Sequence, residues 1–212
     1  MALKKHLSFS EADSEQHSAP LRQKHPTQVS ILNYVKTIVI TVVIATLLLT
    51  FVIINAVVPS GSMEHTIDIG DRLIGFRLAY LASEPQRGDV IIFRYPDDES
   101  QRYIKRIIGL PGDTVEIRRN PDDTAFADVY VNGEKLEEDY LAEPMLYSPN
   151  SGGAHEFQVP DGSYLVLGDN RNHSNDARFW KTPYVSRGAI LAKAIFRYYG
   201  GTAKRFDFKL IK

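Results

Sequence analysis

The sequence predicts a mainly β protein in which a single N-terminal transmembrane helix precedes an exported, antiparallel β-rich domain carrying an inserted β segment. Two observations carry this reading. One uncharged, strongly apolar run lies near the amino terminus. After Gly70, short β-prone runs alternate with turn signals. The expected division is a polar tail over 1–36, a transmembrane helix over 37–58 and a β-rich domain over 59–212, with the inserted segment at about 114–160.

Residues 1–30 are rich in Ser, Gln, His and Lys and show no apolar period, which predicts a disordered tail. From Thr37 to Met63 there is no charge, and Thr37–Val58 is dense in Ile, Val and Leu. As a helix this run spans roughly 33 Å at about 1.5 Å per residue, matching a bilayer core of about 30 Å. Its β-branched content suits a strand, but strands rarely exceed about ten residues. It is also longer than a cleaved leader's apolar region. Pro59, Ser60 and Gly61 stop the helix. Lys4, Lys5, Arg22, Lys24 and Lys36 precede the run, and the first basic residue after it is Arg72. This asymmetry predicts a cytoplasmic amino terminus and an exported domain. Lys4 and Lys5 are candidates for contact with membrane lipid.

The β elements then follow in order. Val90–Tyr95 lies between turns at Arg87-Gly88-Asp89 and Pro96-Asp97-Asp98. Arg102–Ile108 ends at the turn Gly109-Leu110-Pro111-Gly112-Asp113. Thr114–Arg118 alternates Val115 and Ile117 with polar residues, and Val129–Val131 runs into the hairpin signal Asn132-Gly133. Phe157–Val159, Ser163–Leu167 and Ala189–Tyr199 complete the pattern, with Leu78–Ala82 as a short helical or irregular piece.

Composition narrows the function. The 212 residues carry a net charge of −1, which argues against nucleic acid as a partner. The absence of cysteine removes disulfides, thiolate nucleophiles and Cys-based zinc sites. No HExxH motif or close His pair suggests a metal.

Three segments carry candidate chemistry. Pro59-Ser60-Gly61-Ser62-Met63 follows the apolar run directly, but a serine hydroxyl needs a base to act as a nucleophile. In the strand Tyr103-Ile104-Lys105-Arg106-Ile107-Ile108, neighbours alternate in direction, so Lys105 or Arg106 must face apolar company. Arg does not give up its proton, whereas a desolvated Lys does. Read alone, a lysine here is better explained as a snorkelling side chain on a half-exposed strand. The third segment, Gly168–Arg178, concentrates small, polar and charged residues after Ser163–Leu167. Asp176 and Arg178 fall on one side if it is extended.

In this order, behind one apolar span, the three segments resemble the successive boxes of bacterial type I signal peptidases, which are Ser/Lys serine proteases. The resemblance implies Ser62 as nucleophile and Lys105 as base. It implies Ser60 in the oxyanion hole beside the Ser62 N–H, and Ser174 hydrogen-bonded to the lysine. Asp169, Arg171, Asp176 and Arg178 would be polar and ionic support. Val57, Val58, Met63, Ile67, Tyr103 and Ile104 would line shallow pockets for small side chains of a signal-peptide-bearing preprotein. The family's location implies an inner-membrane, single-pass enzyme facing the periplasmic side, with no cofactor. The chain departs from the family pattern at Glu64-His65, where proline usually precedes Thr66, and at Asn172, His173 and Ala177. A Ser–His–Asp arrangement drawing on His65, His155 or His173 is the enzyme rival, and a non-catalytic anchored β domain is the rival from another class.

Overall fold

The computed structural model describes residues 31–148, 153 and 155–211, so the expected disordered tail lies outside the described residues. The chain divides into two compact units at Thr41/Val42. Ile31–Thr41 is helical, and the helix α1 carries on to Leu47. A π-helical turn, Leu48–Val52, follows. Ile31–Val52 is long and apolar enough to cross a membrane. Its side chains are exposed up to Phe51, and two of its threonines bond within the helix. Thr37 Oγ1 donates to Asn33 O at 2.9 Å and Thr46 Oγ1 to Val42 O at 2.8 Å.

The expected helix over 37–58 is corrected at both ends. The helix begins earlier, and Ile53–Val57 is a strand, β1. β1 pairs antiparallel with β2 (Arg72–Phe76), Ala56 opposite Leu73. A β-branched segment that finds a partner edge gives up helix for sheet. The β domain therefore starts before residue 59.

An eight-stranded antiparallel sheet carries the second unit. Its further members are β3 (Val90–Tyr95), β4 (Asp98–Gly109), β10 (Ser163–Leu167), β11 (Tyr184–Ser186), β12 (Ile190–Gly200) and β13 (Arg205–Leu210). The order is β1-β2-β12-β3-β4-β10-β11, with β13 on β12. A five-stranded sheet is inserted in sequence between β4 and β10. It comprises β5 (Thr114–Arg119), β6 (Phe126–Val131), β7 (Glu134–Lys135), β8 (Met145–Leu146) and β9 (Glu156–Gln158). Asn132 adopts φ 52° and Gly133 φ 85°, the conformation that the Asn-Gly hairpin signal requires.

β3 shows how the core is divided. Val90, Ile91, Ile92 and Phe93 are all buried. Ile91 and Phe93 join a cluster that reaches the inserted sheet through Val115, Ile117 and Val129. Val90 and Ile92 join a second cluster with Ile54, Val58, Met63, Ile67 and Leu73. Period-two alternation thus gives one strand two apolar faces, and the second cluster floors the loop that bears Ser62.

Candidate active site

Ser62 sits in the loop that leaves β1. The loop is closed at its base by Val58, whose N–H donates to Asp71 O at 3.0 Å and whose carbonyl accepts from Gly70 N at 2.8 Å. Met63 and Ile67 plug the loop into the second core cluster. His65 has φ 81°, a left-handed conformation that proline cannot adopt. The turn after Ser62 is therefore one that a proline at this position would not permit.

Lys105 projects from the middle of β4, opposite Ile91 of β3. Its Nζ donates to Ser62 Oγ at 2.6 Å, and the two side chains are buried, with 4% and 8% of their residues' surface exposed. Burial drives the lysine pKa down. The carboxylates of Asp176 and Asp169 push it back up, Arg178 lowers it again, and the result is about 8. The lysine Nζ also lies 5.6 Å from the centre of the Tyr103 ring, which stacks on Tyr95 at 4.5 Å and meets Trp180 edge-on.

The sequence demanded that one of two cations be dry, and the structure dries both. Arg106 is only 2% exposed. Its Nε and Nη2 donate to the two oxygens of Asp169 at 2.8 and 2.6 Å, and its Nη1 donates to Gly88 O at 2.7 Å. Thr66 Oγ1 adds a bond to the same carboxylate at 2.6 Å, and the Tyr140 ring covers the guanidinium at 3.9 Å. The arginine is ion-paired through both oxygens of Asp169, whereas the lysine beside it makes no salt bridge among the described residues.

The third segment arrives because β10 pairs with β4, Leu167 opposite Arg106. The chain leaving β10 at Gly168 therefore emerges beside Lys105. A side chain at residue 168 would meet Ser174 Oγ at 2.2 Å and Ser62 O at 2.5 Å, so only glycine fits. Asp176 accepts from Gly168 N at 2.9 Å and pairs with Arg178, Nε to Oδ1 at 2.8 Å. Arg171 donates to Gly168 O at 3.0 Å and forks onto Glu138 of the inserted segment at 2.5 and 3.0 Å.

The residues expected at the site fall into two groups. Ser60, Ser62 and Lys105 line one cleft of about 580 Å³, together with Val57, Val58, Met63, Ile67, Tyr103 and Ile104. Asp169, Arg171, Asp176 and Arg178 stand behind it as ion pairs. Ser174 is buried against Gly168, but its Oγ makes no hydrogen bond, so the expected bond to Lys105 is absent from this structure. None of the described histidines bonds to Ser62. His65 Nδ1 meets Tyr140 O, His173 Nδ1 meets Asn170 Oδ1, and both ring nitrogens of His155 are buried without a partner.

Several residues of the site were not singled out from the sequence. They are Thr66, Glu138, Tyr140 and Asn170, with Arg102 and Asn175 at the cleft wall. Arg106 was weighed only against Lys105 as the buried cation, although an arginine inside an apolar strand demands a carboxylate.

A family model described as signal peptidase, peptidase S26, matches residues 31–199, most of the chain. The chain belongs to the signal peptidase family, peptidase S26. The enzyme is thus a serine endopeptidase that removes signal peptides. A probable signal peptidase I-2 of Synechocystis sp. (strain PCC 6803) is 38% identical over 183 residues, covering 84% of this chain and 78% of its own. Signal peptidase I of Leptolyngbya laminosa is 37% identical over 201 residues, covering 90% of this chain and 92% of its own. A solved signal peptidase I from Enterococcus faecalis V583 matches 52% of this chain and 97% of its own at 36% identity, with a TM-score of 0.40.

Proposed function

We propose that the enzyme cuts preproteins with Ser62 as nucleophile and Lys105 as general base. One observation carries this reading: a buried lysine with a pKa near 8 lies 2.6 Å from a serine hydroxyl in a mostly apolar cleft. A base works best with a pKa close to the working pH. In the neutral state Lys105 Nζ accepts the Ser62 proton as Oγ attacks the scissile carbonyl. The oxyanion is held by the Ser62 N–H and the Ser60 hydroxyl, each such donor being worth roughly 3–4 kcal/mol. Lys105 passes the proton to the leaving amine, and Ser62 retains the acyl group. Lys105 then takes a proton from water as the water oxygen attacks the acyl carbon, and passes it to Ser62 Oγ as that oxygen leaves. The apolar cleft beside the pair suits small side chains at the first and third positions before the cut. An extended substrate would lie along Val57–Ser60 and Tyr103–Lys105.

We also place the helix in the inner membrane with the amino terminus in the cytoplasm, because Lys4, Lys5, Arg22 and Lys24 precede it and Lys36 lies near its amino-terminal end. The substrate's own membrane-bound leader would then bring its cleavage site to the loop that follows the helix.

The deciding experiment incubates the purified enzyme with a precursor bearing Ala-x-Ala and maps the cut. The wild type should cut after the second alanine, and Ser62→Ala should not cut. Lys105→Arg keeps the charge and cannot act as a base, so it should also be inactive. Near-normal turnover by either variant would refute the assignment.

A further inference from the structure

The Gly61–Ser62 peptide is clamped by hydrogen bonds. Gly61 O accepts from Glu64 N at 3.1 Å and from Asn170 Nδ2 at 3.1 Å. The next carbonyl, Ser62 O, accepts from Asn170 N at 3.1 Å. One buried residue, 7% exposed, therefore grips the chain on both sides of the Ser62 Cα. The Ser62 N–H itself donates to no acceptor among the described residues.

We infer that Asn170 is a positioning residue for the oxyanion hole, aiming the Ser62 N–H by holding the carbonyl at the other end of the same peptide. A peptide group is planar and trans, so its C=O and N–H point in opposite directions within one plane. Two donors on Gly61 O fix that plane, and so fix where the Ser62 N–H points. A carbonyl that accepts two hydrogen bonds also polarises its peptide and makes the N–H a stronger donor. The inference rests on Ser62 being the nucleophile, as proposed above.

Glu64 explains why the Asn170 amide faces the right way. Its Oε2 accepts from Asn170 Nδ2 at 3.1 Å. A carboxylate and a carbonyl on one side both demand a donor, so the NH₂ end must point there, and Oδ1 is left to meet His173 Nδ1 at 3.2 Å. A flipped amide would set its oxygen against two acceptors. Glu64 packs so closely that a side chain at residue 61 would meet its Oε1 at 2.6 Å.

The test compares Asn170→Leu, Glu64→Leu and Glu64→Gln with the wild type. It measures kcat, KM, the pH profile and inhibition by a peptide boronate that forms a tetrahedral adduct on serine. Asn170→Leu should lower kcat on the order of 100-fold, with KM within about threefold. The boronate should weaken in parallel, and the pH midpoint should stay where it is. Glu64→Leu should show a smaller loss of the same pattern, and Glu64→Gln, which keeps an acceptor, should restore most of it. Turnover of Asn170→Leu within threefold of wild type would overturn the inference. So would a kcat loss without boronate weakening, or one with a moved pH midpoint, which would mean action through Lys105. If Asn170→Leu does not fold, undiminished turnover by Glu64→Leu overturns it. Cutting by Ser62→Ala would instead refute the underlying catalytic reading.

Discussion

At the scale of single residues, the proposed role of Lys105 as base comes at the expense of the fold. Burial outweighs the pull of Asp176 and Asp169 and holds its pKa near 8, against 10.5 for a free lysine. The base must be neutral, so kcat/KM should climb about tenfold per pH unit below 8 and level off above it, in a pH-rate series on a precursor. The same shift has a stability consequence. A folded-state pKa below the unfolded value means that the unfolded chain binds the proton more tightly. The folded state is therefore penalised by about 3 kcal/mol at pH 7, and the penalty fades as pH rises from 8 to 10.5. Lys105→Met should abolish cleavage yet raise Tm at pH 7 by several degrees, with the gain shrinking toward pH 10 in thermal unfolding. Ser62 and Lys105 were legible in the sequence only as members of an ordered set, because neither residue type is unusual in a loop or a strand. Asn170 was not legible as a clamp, because its role depends on which carbonyls lie within reach.

Among the elements, the loop after β10 is braced from the inserted segment. Glu138 holds Arg171, and Tyr140 roofs Arg106. Both contacts join residues that are far apart in sequence, which is why the segment's bearing on the site could not be read from the chain. Burial and the neighbouring Glu138 carboxylate push the Tyr140 hydroxyl pKa well above its ordinary value, so it stays a donor to Glu138, at 2.6 Å. Glu138→Ala would leave Arg171 buried without a counter-charge. It should cost roughly 3–5 kcal/mol in chemical denaturation and reduce cleavage, although residue 138 lies outside the cleft. The strands with clean boundaries, β3, β5 and β10, were readable from their flanking turns. β1 was hidden within an apolar run that suits helix and strand alike, and only its pairing with β2 decides between them. β13 alternates Phe206, Phe208 and Leu210, but so short a run carries little signal without its neighbour β12.

For the whole molecule, composition and order sufficed for the class: an apolar span followed by antiparallel sheets. The strand order β1-β2-β12-β3-β4-β10-β11 was beyond reach, because it depends on pairings that cross most of the chain. The proposed orientation makes its own prediction. Protease added to spheroplasts should degrade the β domain and leave a tag fused at the amino terminus intact, as read on a blot. Loss of the tag would reverse the assignment.

β4 places two buried cations on adjacent residues that face opposite ways. A slip of one residue in its pairing would turn each to the other face, and the strand would keep its charge and nearly all its apolar content. In one direction Arg106 would take the place of Lys105 against Ser62 and Ile107 would stand at Asp169, a protein of the right shape without the proposed chemistry. The fork of Arg106 onto both oxygens of Asp169 guards against that outcome, because no side chain that a slip brings there can reproduce it. Asp169 thus acts as a proofreader of assembly, rewarding only the alignment in which the proton-accepting side chain meets the serine.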